Sequence, residues 1–177
     1  MKNLLLFLLL VSFNFTYGQS YLGFVNKQVN FRQGPGTDYK VIKSLVAGNQ
    51  LFITSLNTKN NYYNVIDISS NTEGYVYKSY VNLGDEVERN EGGIFVPTGK
   101  SDNSLSKIEV FNKTELSLTL KMGDNIYIFS PNEKTEINVK AGDYKYRASA
   151  VGVIPYIGKE IIETGMNYSW QFYIVTK

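Results

Sequence analysis

Short stretches of alternating apolar and polar residues recur along most of this 177-residue chain. Alternation with a period of two is typical of strands that bury one face, and here each stretch ends in a cluster of turn-forming residues. Tyr, Phe, Thr, Val and Ile are frequent and only four Pro occur, which also favours β structure. No long helix is predicted beyond the N-terminal segment. The pattern therefore predicts an all-β protein.

The N-terminal eighteen residues have a different character. Met1-Lys2-Asn3 is short and positively charged, and residues 4–13 form an apolar run that is too short to span a bilayer as a helix. Small Gly18 follows, so residues 1–18 are predicted to be a signal peptide. An N-terminal buried helix or a membrane anchor is the alternative. The expected product is an exported protein, periplasmic or secreted, with no stable membrane insertion.

Polar turns divide residues 19–83 into five or six short strands. Val29 and Phe31 alternate before Gly34-Pro35-Gly36, a turn in which Pro fixes one dihedral angle and Gly permits positive φ. This spacing suits a small barrel whose sheet edges are mostly paired. A single helical turn is expected at residues 79–81. The predicted strands are 21–25, 28–31, 41–45, 50–56, 62–68 and 73–77.

Several strings in this segment resemble the bacterial SH3 domain family. The opening string is Val29-Asn30-Phe31-Arg32-Gln33-Gly34-Pro35-Gly36-Thr37-Asp38-Tyr39, and Leu45 to Gly48 matches the family's Leu-x-x-Gly turn. Gly74-Tyr75-Val76 matches its Gly-Trp-Val, and Tyr62 stands at the other position where many members carry Trp. The resemblance implies an SH3-like small barrel of the kind found in exported, cell-wall-associated proteins, which binds and does not catalyse.

Residues 84–106 are acidic and rich in Gly and turn formers, which predicts a flexible, solvated linker. Ile94-Phe95-Val96 interrupts it and is expected to pack against a neighbour as an added edge strand. The acidic residues lack the spacing of a calcium-binding EF-hand loop, so no metal site is predicted.

Residues 107–177 again alternate, with turn residues every eight to ten positions. Six or seven antiparallel strands at this spacing predict a β-sandwich of immunoglobulin-like architecture. Ala141-Gly142-Asp143-Tyr144 resembles the corner of such sandwiches in which a Tyr hydroxyl caps a nearby backbone group. Trp170 is expected in the core. The apolar loop 152–158 either forms a docking site or closes one end of the sandwich.

The residue types that are missing exclude several kinds of chemistry. The chain has no His and no Cys, which removes disulfides, thiolate and imidazole metal sites, and the common Ser-His and Cys-His nucleophile pairs. The acidic residues lie mostly in turns and in the linker, without the facing pair that glycoside cleavage needs. Net charge is only +2 with no basic patch, so nucleic acid is not an expected partner. No enzyme activity and no cofactor are predicted.

The aromatic residues of the barrel are the candidates for binding, because Tyr combines an apolar body with a polar tip. Alternation places Val76 in the core and its two neighbours outward. Tyr39 and Tyr63 are expected in the core. Arg32 either holds a ligand carboxylate or pins the Gly-Pro-Gly loop, and pinning is favoured. The predicted ligand-binding residues are Tyr62, Tyr75, Tyr77, Tyr80 and Arg32.

Together these features predict an exported, non-catalytic binding protein of the bacterial cell envelope. The resemblance implies that the barrel contacts peptidoglycan peptide or an envelope protein. The alternative is an assembly component that docks through its C-terminal sandwich and uses the barrel as a spacer. The sequence predicts neither the oligomeric state nor the orientation of the two domains.

Overall fold

The computed structural model describes residues 19–174, and in this part of the chain strands account for nearly all regular structure. The prediction of an all-β protein is confirmed. The predicted signal peptide lies outside the described residues. Among the described residues, no helix has the length and apolar character needed to cross a bilayer.

The first domain is one seven-stranded antiparallel sheet in the order β3-β2-β6-β5-β4-β1-β7. A short 3₁₀ helix, Lys78–Tyr80, follows β6 within one residue of the predicted helical turn, and it leads into β7, a strand that was not predicted. The bend at residues 26–28 lets β1 and β2 pair with opposite ends of the sheet, so the sheet coils around one core. The strands are β1 (Ser20–Val25), β2 (Val29–Arg32), β3 (Val41–Leu45), β4 (Gln50–Ile53), β5 (Tyr62–Asp67), β6 (Thr72–Tyr77) and β7 (Val81–Val87).

The coiled sheet is not a closed barrel, because no ladder of the described residues joins β3 to β7. Its core is nevertheless continuous, since every strand contributes a buried apolar side chain. The core residues are Val25, Val29, Phe31, Leu45, Leu51, Ile53, Val65, Val76 and Val81. The short aliphatic residues that alternate along the sequence are therefore those that fill this core.

Gly74 is buried in β6 because the neighbouring strand leaves no room for a side chain. An added Cβ would lie 2.6 Å from the Phe31 ring and 2.7 Å from the carbonyl oxygen of Arg32. We expect Gly74→Ala to lower the free energy of unfolding by about 1–3 kcal/mol, because the clash involves backbone. Urea unfolding of residues 19–177 measures this. Gly92→Ala, whose added Cβ would have no atom closer than 3.7 Å, is the control and should leave stability unchanged.

The second domain is a sandwich of two four-stranded sheets, β11-β10-β13-β14 and β12-β9-β15-β8. β9 and β15 pair in parallel, and the other pairs are antiparallel. The sandwich prediction is confirmed, with this one pair as a departure from a fully antiparallel arrangement. The strands are β8 (Val96–Lys100), β9 (Leu105–Asn112), β10 (Leu118–Met122), β11 (Asn125–Phe129), β12 (Lys134–Lys140), β13 (Gly142–Ser149), β14 (Tyr156–Ile162) and β15 (Met166–Phe172).

Two local predictions for the sandwich are confirmed. The Tyr144 hydroxyl donates a hydrogen bond of 2.9 Å to the carbonyl of Lys140, so the tyrosine caps backbone four residues upstream. Trp170 is buried in the core, and its ring meets the rings of Phe95 and Phe172 edge-on, each at 5.8 Å between centroids.

Most of the predicted linker is ordered by contacts that the sequence did not reveal. Residues 84–87 belong to β7, and residues 96–100 form the edge strand β8. Between them, the Asn90 amide donates to the carbonyl of Ile157 at 2.9 Å. The buried carboxylate of Glu160 accepts hydrogen bonds from the amides of Ile94 and Phe95, at 2.5 and 2.9 Å. These contacts show that residues 84–100 are held against the rest of the chain, although most of their side chains are exposed, as expected for a solvated segment. Of the string 94–96, Ile94 and Phe95 pack against the sandwich core and Val96 begins the edge strand β8.

The two domains share a buried apolar interface. Phe52, Ile66 and Ile68 point away from the core of the first domain and form a separate buried cluster with Ile157 of β14. β4 and β5 are thus buried on both faces, which a sheet tolerates only where something covers its outer side. Here the second domain covers the outer side of β4 and β5.

Hydrogen bonds and ion pairs surround this apolar cluster. The Glu73 carboxylate accepts a hydrogen bond of 2.9 Å from Arg147. Asn71 donates to the Thr119 hydroxyl at 3.3 Å, and the Gly152 amide donates to the carbonyl of Ile68 at 2.8 Å. Burial raises the pKa of Glu73, but the hydrogen bond and charge of Arg147 outweigh it, so the pKa lies below its ordinary value. The polar rim fixes how the two domains sit against each other.

Candidate ligand-binding cleft

Three tyrosines meet at one end of the first domain. The β5–β6 pairing places Tyr62 directly opposite Tyr77, and their rings meet edge-on at 5.2 Å between centroids. The 3₁₀ helix then turns the chain so that Tyr80 lies 5.8 Å from Tyr77. Tyr62 is buried and the other two are half-buried. The result is an aromatic wall with one edge open to solvent.

Arg32, at the end of β2, forms part of the opposite side. Its Nη1 donates hydrogen bonds to the carbonyl oxygens of Thr37 and Tyr39, at 3.0 and 2.8 Å. The prediction that Arg32 pins the Gly-Pro-Gly loop is therefore confirmed. Among the described residues no carboxylate forms an ion pair with Arg32, so no described acidic side chain neutralises its charge.

The pinned loop differs in two ways from the sequence expectation. Gly34 and Gly36 do not have positive φ. Gly34 is needed for space instead, because an added Cβ would lie 2.1 Å from the Tyr39 ring. Tyr39 was expected in the core but is 42% exposed, and its ring lies on the outer side of the loop against Gly34. Tyr63, also expected in the core, is half-buried and packs against it.

Between these walls lies an open cleft of about 620 Å³. Its described lining contains hydroxyl, amide, phenol and guanidinium groups and no carboxylate. The Lys27 ammonium lies 4.5 Å from the centroid of the Tyr80 ring, which adds a second positive charge close to the cleft. The lining residues are Gln28, Val29, Asn30, Arg32, Thr37, Ser44, Tyr62, Tyr77 and Tyr80.

The structure brings four of the five predicted binding residues to this cleft: Arg32, Tyr62, Tyr77 and Tyr80. Tyr75 does not line it, although it pairs directly with Arg32 across β6 and β2 and is half-buried. The polar residues of β2 and β3 were missed. Gln28 and Asn30 alternate with the buried Val29 and Phe31, so the same period of two would have identified them.

The family model of the bacterial SH3 domain matches residues 27–82. This segment is a bacterial SH3 domain. It covers β2 to the start of β7, just under a third of the chain, and it contains every residue that lines the cleft. Bacterial SH3 domains are a family of binding modules, and the cleft lies within the segment that matches this family.

The rest of the chain is outside that match, and the immunoglobulin-like character of the sandwich stays a prediction. Comparisons with curated proteins and with solved structures returned no match. Within residues 19–174 no group of three or more acidic side chains is placed to hold a metal ion.

A buried carboxylate of the SH3 domain forms an ion pair away from the cleft. Asp67, at the end of β5, is fully buried and accepts hydrogen bonds from Lys43, from Ser70 at 2.7 Å and from Ser69 at 2.9 Å. Burial raises the pKa of Asp67. The hydrogen bonds and the charge of Lys43 outweigh it, so the pKa lies below its ordinary value. This carboxylate ties β3 to the β5–β6 turn and thereby supports the strands that carry the cleft.

Proposed function

We propose that this chain is an exported, non-catalytic binding protein of the bacterial cell envelope, periplasmic or secreted, whose SH3 domain holds a peptide in the tyrosine cleft. The peptide belongs to peptidoglycan or to an envelope protein. The observation that carries the proposal is the convergence of Tyr62, Tyr77 and Tyr80 with Arg32 around one open cleft.

The lining suits an extended peptide. Phenol rings offer flat apolar surface for small side chains, while the amides of Gln28 and Asn30 can pair with a peptide backbone. Because no lining residue is acidic, a ligand carboxylate would meet Arg32 and nearby Lys27 without repulsion. The cleft therefore favours a peptide that carries a free carboxylate, as peptidoglycan peptides do.

The test is cosedimentation of residues 19–177 with purified peptidoglycan. We expect the unsubstituted chain to pellet with it. Tyr77→Ala and Tyr80→Ala should each weaken the interaction about tenfold, corresponding to about 1.4 kcal/mol, because each removes one ring from the aromatic wall. Arg32 is less informative, since its loss also releases the loop.

Tyr75→Ala is the matched control, because it makes the same change on the same strand outside the cleft. It should bind as the unsubstituted chain does, and circular dichroism should show all three variants folded. Equal loss in Tyr75→Ala and Tyr77→Ala would contradict a ligand held in this cleft. If peptidoglycan does not bind, the chain should instead retain an envelope protein, and Tyr77→Ala and Tyr80→Ala should weaken that retention. This result would identify an envelope protein as the source of the peptide.

The sandwich supports the alternative, docking through the second domain, by one observation. A cavity of about 490 Å³ opens at one end of it, beside exposed Ile154, Tyr156 and Tyr173. However, the apolar loop 152–158 also contains Ile157, which packs against the SH3 domain. Part of the apolar surface of this loop is therefore buried within the chain. Ile154→Ser with Tyr173→Ser should leave peptidoglycan binding unchanged and abolish retention of an envelope protein if this alternative is correct.

A further inference from the structure

One edge strand of the sandwich has an unusual surface. β11 pairs with β10 only, among the described residues. Its Phe129 is buried and its half-buried Tyr127 packs against the core. Ile126 and Ile128 point to the other face, where they are 59% and 69% exposed. The strand is thus anchored on its inner side and presents two isoleucines beside an open backbone edge.

The other open edges of the described sheets carry features that discourage pairing with another strand. β12 carries three charged residues, β8 carries Pro97 and Lys100, and β7 carries Asp85 and Glu86. β3 carries Lys43. The outer edge of β14 is occupied by the segment around Asn90. By contrast, Asn125 to Phe129 contain neither a charge nor a proline.

We propose that β11 is a docking edge for a second copy of this chain, which adds its own β11 in antiparallel pairing. With Tyr127 at the centre, Ile126 lies opposite Ile128 of the second copy, and the reverse pair completes the symmetric contact. Cross-strand β-branched pairs of this kind stabilise sheets. No like charges meet, because the strand has none. Self-pairing of β12 or β7 would instead bring charged strands together.

The position of β11 beside the domain interface supports this occupant. The SH3 domain covers part of the outer face of β14, β13 and β10 through Ile157, Arg147 and Thr119, and it leaves the two isoleucines of β11 uncovered. A two-fold axis perpendicular to the paired sheets places both SH3 domains on the same side. If the proposed function is correct, the dimer then presents two peptide clefts to one surface, which raises avidity without a new contact.

The test is sedimentation equilibrium of residues 19–177 over a wide concentration range. Because the new contact is small, we expect a weak, reversible dimer with a dissociation constant on the order of 0.1 mM. Both double variants contain Ile126→Glu. Residue 126 lies opposite Lys121 of β10, so a glutamate there faces a positive charge and is tolerated within the chain. In Ile126→Glu/Ile128→Glu, equal charges face each other across the dimer. In Ile126→Glu/Ile128→Lys, opposite charges face each other in the proposed register.

The Glu/Glu variant should raise the dissociation constant at least tenfold, and the Glu/Lys variant should stay within about threefold of the unsubstituted chain. Val96→Glu, at a 62% exposed position of edge strand β8, is the control and should not affect association. A concentration of about 1 mM is roughly ten times the expected dissociation constant. If the chain is still monomeric at that concentration, the proposal is wrong. Equal behaviour of the two double variants, or dimer loss in the control, overturns it as well. Peptidoglycan binding by monomeric variants is measured separately, so failure of the dimer and failure of the cleft are distinguishable.

Discussion

Ile157→Lys should split the unfolding of this protein into two transitions. Among residues 19–174, Ile157 is the one buried residue that the sandwich contributes to the apolar cluster with Phe52, Ile66 and Ile68. Removing its burial costs roughly 1.5–3 kcal/mol, and a lysine charge cannot enter the cluster, so the domains should separate. The only Trp of the chain, Trp170, reports on the sandwich, whereas circular dichroism reports on both domains. The two signals should coincide in the unsubstituted chain and diverge in the variant.

Ile161→Lys is the matched control. Ile161 lies on the same strand and the same face four residues later, but it is 63% exposed. The identical substitution there should leave a single transition at an unchanged midpoint. Divergent signals already in the unsubstituted chain would show that the domains unfold independently, and the proposed coupling would then be wrong.

Asp67→Asn should destabilise the SH3 domain by about 2–4 kcal/mol. The asparagine side chain has the same shape, but its NH₂ group donates hydrogen bonds where the carboxylate oxygen accepted them. This NH₂ group would face other donors, since Lys43, Ser69 and Ser70 all donate to Asp67. The substitution also leaves the lysine without its buried counter-charge. Urea unfolding at neutral pH measures the loss. Asp85→Asn on exposed β7 removes the same charge and should change stability by less than about 0.5 kcal/mol.

The same residue should make stability fall in acid. The pKa of Asp67 in the folded protein is below its ordinary value of 3.8, so the folded state binds this proton less readily than the unfolded chain does. Its contribution is complete above that ordinary value and is lost as pH falls through the lower, folded pKa. The pKa of Glu73 is lowered as well and acts in the same direction. The variant should therefore show a shallower acid dependence below about pH 4, without losing it completely. An unchanged acid profile in Asp67→Asn would contradict the role of this carboxylate.

Both predictions bear on the cleft. The Asp67 cluster secures the turn after β5 and the start of β6, the strands that carry Tyr62 and Tyr77. The domain interface holds the outer face of β4 and β5 against the sandwich. An isolated SH3 segment would expose Phe52, Ile66 and Ile68 to water, and binding is therefore best measured on residues 19–177.

Local patterns in the sequence predicted much of the SH3 domain. The strands begin and end within a few residues of the predicted positions, because period-two alternation and turn residues are local signals. The pinning role of Arg32 followed in the same way, from its place directly before the Gly-Pro-Gly loop. Three tyrosines of the predicted site do meet at one cleft, since strand pairing brings Tyr62 opposite Tyr77.

The sequence could not place Tyr75 or Tyr39. Alternation assigns Tyr75 to the same side of β6 as Tyr77, but the coiling of the sheet decides which residues of that side border the cleft. Tyr39 is apolar enough for a core, yet the tight loop beneath it leaves its ring on the surface. Side-chain type and period alone do not contain this information.

The consecutive apolar residues Leu51-Phe52-Ile53 and Val65-Ile66 already indicate strands buried on both faces. The sequence by itself determined most of the strands and turns and the short aliphatic residues that alternate into each core, because these depend on neighbours along the chain. Only the tertiary structure decided that the second domain covers the outer face of the first, that the acidic segment lies along β14, and which tyrosines share a cleft. Those outcomes depend on contacts between residues far apart in sequence, and the free energy of such contacts is set by how whole sheets coil and pack.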